Sequence, residues 1–185
     1  MPKKIKIVGI VGSLRHDSFN MALMKYAQTV MPKDIEFELL DISKIPLFNQ
    51  DLETNVPESV KYLKEKIKSS DAVLIATPEY NYSIPGVLKN AIDWASRPYG
   101  DNSFEGKHAA IMSCSGGYIG GARAQYHLRQ VFVFLNVHPL NKPEVMVPLI
   151  TGKVDENYVL TDKPTQEKIK ELVEALIANI KKSTT

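Results

Sequence analysis

The chain has 185 residues, 44% of them apolar, and its 23 Lys and Arg against 21 Asp and Glu leave a formal charge of +2. That is enough chain for a single domain over residues 1–185 and short for two, with no basic block to track a nucleic-acid backbone and no apolar run long enough to cross a bilayer. The lone cysteine, Cys114, excludes an internal disulfide, and the histidines at 16, 108, 127 and 138 lack metal-ligand spacing, so no metal site is expected.

The first predicted element is a strand over 5–11. Its residues, Ile5-Lys6-Ile7-Val8-Gly9-Ile10-Val11, are apolar and β-branched, as in a parallel strand covered on both faces. Met1-Pro2-Lys3-Lys4 runs straight into it without a signal-peptide core, and the expectation is a cytoplasmic protein. The turn over 12–20 reads G-S-L-R-H-D-S-F-N and leads into a helix. Gly12 allows a tight turn, Ser13, Ser18 and Asn20 offer short hydrogen-bonding side chains, and Arg15 brings a permanent guanidinium suited to phosphate. The unpaired amides and positive dipole end of the helix also favour an anion. An ordinary reading stands beside this one, with Asp17 or Ser18 as an N-cap and Arg15 solvated. No G-x-x-x-x-G-K-[ST] occurs, and Gly9 and Gly12 lack the third glycine of G-x-G-x-x-G.

A second strand is predicted over 35–40 and ends at Asp41. A dinucleotide fold places a ribose-binding acid there, but without the glycines Asp41 reads as a strand-end residue. Val60, Leu63 and Ile67 mark a short helix. A third strand over 72–76 feeds the loop T-P-E-Y-N-Y-S-I-P-G over 77–86, which its prolines stiffen so that backbone amides face a planar ligand. Tyr80 and Tyr82 either wall that site or simply pack. The helix after it is signalled by Ile84, Val87, Leu88, Ala91, Ile92 and Ala95 on one face, with Ser83 as its expected N-cap.

A fourth strand over 108–113 leads into S-C-S-G-G-Y-I-G-G over 113–121. Its glycines permit close approach of the chain to a ligand, and Ser115, Gly116 and Gly117 are candidate amide donors to carbonyl oxygens. Cys114 reads as a small buried hydrophobe at a strand end rather than a reactive thiol. Ala124, Leu128, Val131, Phe132 and Leu135 form one helical stripe, and Val133 and Phe134 extend apolar surface around the helix, which predicts a second buried contact. The region 139–162, with prolines at 139, 143 and 148, is expected as surface loop and extended chain holding a fifth strand near 144–147. Ile169, Leu172, Val173, Leu176, Ile177 and Ile180 define the last helix, with Thr165 as its candidate N-cap and Glu167 in its first turn.

Strands alternating with helices predict an α/β fold: a parallel sheet with helices on both faces and right-handed crossovers. Ligands in such sheets bind beyond the carboxyl ends of the strands, so the loops after strands one, three and four are the functional ones. One phosphate site beside two flat-sided loops suits a mononucleotide with a large ring, and FMN meets that description.

These residues carry a family resemblance. Gly12-Ser13-Leu14-Arg15 with Ser18 and Asn20, Pro78-Glu79-Tyr80-Asn81 leading to Pro85-Gly86-Val87-Leu88-Lys89-Asn90-Ala91-Ile92-Asp93-Trp94, and Ser115-Gly116-Gly117 resemble the NADPH-dependent FMN reductase family, which includes flavodoxin-like quinone, azo and chromate reductases. The resemblance implies a flavodoxin-like three-layer sandwich with a five-stranded parallel sheet in the order 2-1-3-4-5. It implies FMN with its phosphate on Ser13, Arg15, Ser18 and Asn20, and Phe19 also in the cofactor-binding set. Pro78, Glu79, Tyr80 and Asn81 then line the isoalloxazine, and Ser115, Gly116 and Gly117 meet its pyrimidine end.

No residue is implied as a catalytic acid or base, since the flavin passes the hydride from NADPH or NADH to a small acceptor: a quinone, or an azo, nitro, chromate or free-flavin substrate. The resemblance further implies a homodimer or homotetramer, with the loop 47–51 placed to reach a neighbouring active site. Two other readings compete. A non-enzymatic electron carrier in the manner of flavodoxin is disfavoured by Arg15 and the slight positive charge, and a flavin-free α/β protein would bind some other phosphate.

Overall fold

The apolar run that opens the chain becomes the middle of a sheet. In the computed structural model, which describes residues 4–183, β1 (Ile5–Val11) pairs in parallel with β2 (Ile35–Leu40) on one side and β3 (Ala72–Thr77) on the other. Met1, Pro2 and Lys3, expected as a basic entry to this strand, lie outside the described residues. Next to β3 lies β4 (His108–Cys114), and the strand order is 2-1-3-4-5, as in a flavodoxin-like fold.

The fifth position corrects the expectation of one strand near 144–147. Two short strands share it, β5 (His138–Pro139) and β6 (Val145–Val147), each parallel to β4. Prolines explain the break, because Pro139 and Pro143 have no N–H to give to a ladder.

Both sheet faces are covered, which is why the inner strands read as mostly apolar runs, while edge strand β2 carries Glu36 and Glu38. All six residues of β3 are buried. On one face Ile7, Leu74 and Ala110 pack with Leu23 of α1 (Phe19–Thr29) and Leu172 of α5 (Lys163–Ser183). On the other, Val8, Ile75 and Ile111 meet Leu63 of α2 (Glu58–Ser69), Ile92 of α3 (Gly86–Ala95) and Phe132 of α4 (Ala122–Phe134). The alternation Ile7/Val8 and Leu74/Ile75 sends neighbours to opposite cores, as a pleated strand must.

Two helix starts differ from their sequence expectations. Ser83 does not cap α3, because its backbone is paired with Tyr80, and Pro85 takes the cap position with its fixed φ. Nor is Thr165 the cap of α5. Asp162 is, its Oδ2 accepting the Thr165 amide at 3.0 Å and the Thr165 hydroxyl at 2.5 Å, so the helix starts at Lys163 and Glu167 falls beyond its first turn.

Candidate functional site

The three glycine- and serine-bearing loops emerge side by side at the carboxyl edge of β1, β3 and β4. Gly12 continues the β1–β3 pairing by donating to the Ala76 carbonyl at 2.8 Å. Any side chain here would crowd its neighbours, since a Cβ would lie 2.8 Å from Thr77 Oγ1 and 3.1 Å from Leu88 Cδ2. Ser13 Oγ accepts the Arg15 amide at 3.3 Å, and Ser18 caps α1 by accepting the Met21 amide at 3.3 Å. The Arg15 guanidinium lies 5.9 Å from the centroid of the Phe19 ring and has no carboxylate partner among the described residues.

Asn20, which lines the cleft, is also tied to the third loop. Its Oδ1 accepts the Cys114 amide at 3.2 Å and its Nδ2 donates to the Cys114 carbonyl at 3.5 Å, which leaves the second Nδ2 hydrogen of this buried amide for another partner. The first turn of α1 is thereby tied to the last residue of β4. Asn20 thus sets the spacing between the first and third loops.

The loop after β3 closes as a two-residue hairpin. Tyr80 and Ser83 exchange backbone hydrogen bonds of 3.0 Å each, and the central Asn81 and Tyr82 sit at φ 50° and 68°. Asparagine is at ease in that region, whereas tyrosine is strained there. The Arg123 guanidinium, 3.7 Å from the centroid of the Tyr82 ring, braces the strained residue. Arg123 also binds Glu79 twice: its amide donates to Oε2 at 3.0 Å and its Nη1 to Oε1 at 2.7 Å. A carboxylate at the N-terminus of α4 satisfies an orphan amide and the helix dipole together.

Beneath the loop after β4 lies a buried polar network. Ser113 Oγ donates to the Gly120 carbonyl at 2.6 Å, and Gln125 Nε2 donates to both Ser113 Oγ and the Val145 carbonyl at 2.8 Å. Gly120 and Gly121, at φ 64° and 85°, turn the chain into α4 where an L side chain would be strained. The Ser115 amide is held by the Val147 carbonyl at 3.1 Å and so cannot serve a ligand. The Gly116 and Gly117 amides make no hydrogen bond among the described residues. Cys114 is an inert part of the floor, its thiol pushed up to about 12 by burial.

Together the loops enclose a cleft of about 350 Å3, within the range of small-molecule sites. Its walls are Ser13, Arg15, Ser18, Phe19 and Asn20 from the first loop, Pro78, Glu79 and Tyr80 from the second, and Cys114, Ser115 and Gly116 from the third. Asn81 and Gly117 belong to the same turns but stand outside this lining. Such a cleft can receive an anion at the Arg15 end and a flat, carbonyl-bearing ring across the other two loops.

Sequence reasoning missed Arg123, Gln125 and the role of Gly120 and Gly121. The pair of glycines before a helix was a usable sign of a positive-φ entry, but nothing in the sequence links Glu79 to an arginine 44 positions on. The Asn90 to Trp94 motif also gains a role. Asn90 Nδ2 and Trp94 Nε1 both donate to the Pro46 carbonyl at 2.8 Å, and Asn90 Oδ1 accepts the Phe48 amide at 2.7 Å, fixing the loop that carries exposed Leu47.

Comparison with known proteins agrees with this geometry. The model of the NADPH-dependent FMN reductase family matches residues 5–152, which contain all three loops. An NAD(P)H-dependent FMN reductase of Pseudomonas aeruginosa is 51% identical over 177 residues, covering 95% of each chain. A quinone reductase of Escherichia coli K12 is 47% identical over 158 residues, 84% of each chain. Among solved structures, the flavoenzyme NAD(P)H:(acceptor) oxidoreductase FerB of Paracoccus denitrificans superposes with a TM-score of 0.88 at 42% identity, covering 96% of this chain and 98% of that one. With the phosphate-type turn, the hairpin loop and the glycine loop on one sheet edge, the chain belongs to the NADPH-dependent FMN reductase family.

Proposed function

We propose that this chain, acting as one domain, holds FMN in the three-loop cleft and reduces quinones with electrons from NAD(P)H. A single observation supports the reading: the cleft joins a guanidinium and two serines to the Gly116 amide, the guanidinium without a carboxylate partner and the amide without a hydrogen bond among the described residues, and that donor set suits a flavin phosphate and pyrimidine. When bound, FMN supplies two-electron redox chemistry that no side chain can.

The protein's own work is binding, orientation and charge placement. Ser13, Arg15 and Ser18 hold the phosphate, and Phe19 packs beside Arg15. Backbone groups of Pro78, Glu79 and Tyr80 flank the ring, with Asn81 setting the turn. Gly116 and Gly117 donate to pyrimidine carbonyls, so their amide dipoles favour added negative charge at that end of the ring. Ser115 supports them, because its hydroxyl donates to the Gly117 carbonyl at 3.1 Å. Asn20 acts as a positioning residue. The Glu79 carboxylate is neutralised locally by Arg123 and so does not oppose that negative charge.

Assembly follows from surface that the monomer leaves open. Val133 and Phe134 on α4 are 82% and 81% exposed, and exposed Tyr99 lines a surface hollow with Phe134. A second copy of the chain covers this face in a homodimer or homotetramer, with Leu47 directed toward the neighbour. The single free cysteine suits a reducing compartment, and the cytoplasm is the proposed location.

The deciding experiment is a visible spectrum of the purified protein, followed by anaerobic mixing with NADPH or NADH and then a quinone. A flavin spectrum that bleaches with the nicotinamide and returns with the quinone is expected. Protein that stays colourless after incubation with excess FMN would refute the proposal.

A further inference from the structure

A second cavity, of about 200 Å3, lies on the other side of the phosphate-type turn, where β2 leaves the sheet. Leu14, Met21, Leu39 and Leu40 give it apolar walls, and Asp41 stands among its lining residues. The two cavities are contiguous along the chain: Ser13 lines both, Leu14 lines this one and Arg15 lines the flavin cleft. A ligand with a phosphate on Ser13 and Arg15 therefore borders this pocket at Ser13.

The chemistry of the pocket narrows its occupant. Apolar walls on the scale of a single ring system suit a heterocyclic base, and a carboxylate beside them suits the hydroxyls of a sugar. Asp41 is held in place, its Oδ1 accepting the Ser43 amide at 2.8 Å, while the rest of the carboxylate is exposed to accept further donors. The topology agrees. In doubly wound dinucleotide sites the pyrophosphate lies at the turn after the first strand and an acid at the end of the second strand accepts the ribose hydroxyls. Here β1, its turn and Asp41 at the end of β2 stand in that relation, although the glycine fingerprint is missing.

Resting on the flavin reading above, we infer that this pocket takes the adenosine end of a dinucleotide whose pyrophosphate runs along the Ser13 to Arg15 turn. The base lies against Leu14, Met21 and Leu39, and Asp41 accepts the ribose hydroxyls. That dinucleotide is FAD bound in place of FMN, because with FMN bound its phosphate would occupy the turn that a nicotinamide donor's pyrophosphate needs.

The test uses Asp41→Asn, which keeps the turn to Ser43 but removes the charge, and Leu39→Trp, which fills the pocket. Apo-protein is titrated with FMN and with FAD by flavin fluorescence. The Kd of FAD is expected to lie within about tenfold of that for FMN. Asp41→Asn then weakens FAD by about tenfold, Leu39→Trp weakens it further, and FMN affinity holds in both. Normal FMN uptake with FAD bound poorly, or with no response of FAD to either substitution, would overturn the inference alone. Absence of FMN uptake would overturn the flavin reading and this inference with it.

Discussion

The Arg15 guanidinium lines the cleft with no carboxylate partner among the described residues, while Arg97 and Arg123 are each bound to a glutamate, at 2.6 and 2.7 Å. An arginine kept free beside serines is available for a phosphate, and a charge-assisted bond of that kind contributes about 1.5–3 kcal/mol. Arg15→Ala should therefore weaken FMN by roughly 10- to 100-fold in a fluorescence titration, with little change in thermal stability. Arg15→Lys should recover part of the loss, as a point charge replaces a fork. At Gly120 the expected effect is on folding. A Cβ there would sit 2.7 Å from the Met146 carbonyl carbon and 2.8 Å from the Val147 nitrogen, at φ +64°. Gly120→Ala should cost about 2–4 kcal/mol in urea unfolding, from left-handed strain and a backbone clash that no rotamer relieves. At this scale the sequence was informative where a residue acts through its own type. The Ser18 cap could be read directly as one of two candidates, but the partners of Asn20 and Glu79 lie 94 and 44 positions away and only folding reveals them.

Among the elements, the clamp from α1 to β4 links the fold to the site. Asn20→Ala would leave the amide and carbonyl of Cys114 unpaired in a buried place, at a cost of about 1–3 kcal/mol. Because the same bond sets the gap between two cleft walls, FMN affinity should fall as well; a stability loss with unchanged FMN affinity would show that the clamp is structural alone. The cap of α5 makes a pH prediction. The Thr165 hydroxyl foremost, then Lys153 and the Thr165 amide, hold the Asp162 carboxyl below the ordinary value of 3.8. A depressed folded pKa means that the cap stabilises fully above about 3.8 and that its contribution is lost as pH falls through the lower folded value. Asp162→Ala should cost about 1 kcal/mol near neutrality, and the difference from the wild-type protein should vanish in acid unfolding below that window. Helix and strand existence was legible from periodicity because each apolar stripe meets a sheet face. The start of α5 was not, since Asp162 and Thr165 are both good cap residues and only the hydrogen bonds tell them apart.

For the molecule as a whole, two cores on opposite sheet faces hold the cleft at their shared edge, so the site inherits rigidity from both. The exposed pair Val133 and Phe134 is the apolar surface that the proposed interface would cover. Phe134→Glu should shift the protein toward monomer in analytical ultracentrifugation while its flavin spectrum is retained; an unchanged sedimentation coefficient in an oligomeric wild-type protein would place the interface elsewhere. The parallel α/β plan was legible from the alternation of elements and the strand order only through the family resemblance; the broken fifth strand was not legible, because the pattern near Val145 looks continuous until the prolines are placed in a ladder.

That broken margin has a consequence for solubility under stress. Full-length outer strands present ready rows of hydrogen-bonding groups to other chains, and proteins that must fold at high concentration guard against such recruitment. With only His138–Pro139 and Val145–Val147 on this flank, and prolines at 139 and 143, an incoming strand finds no continuous template to extend.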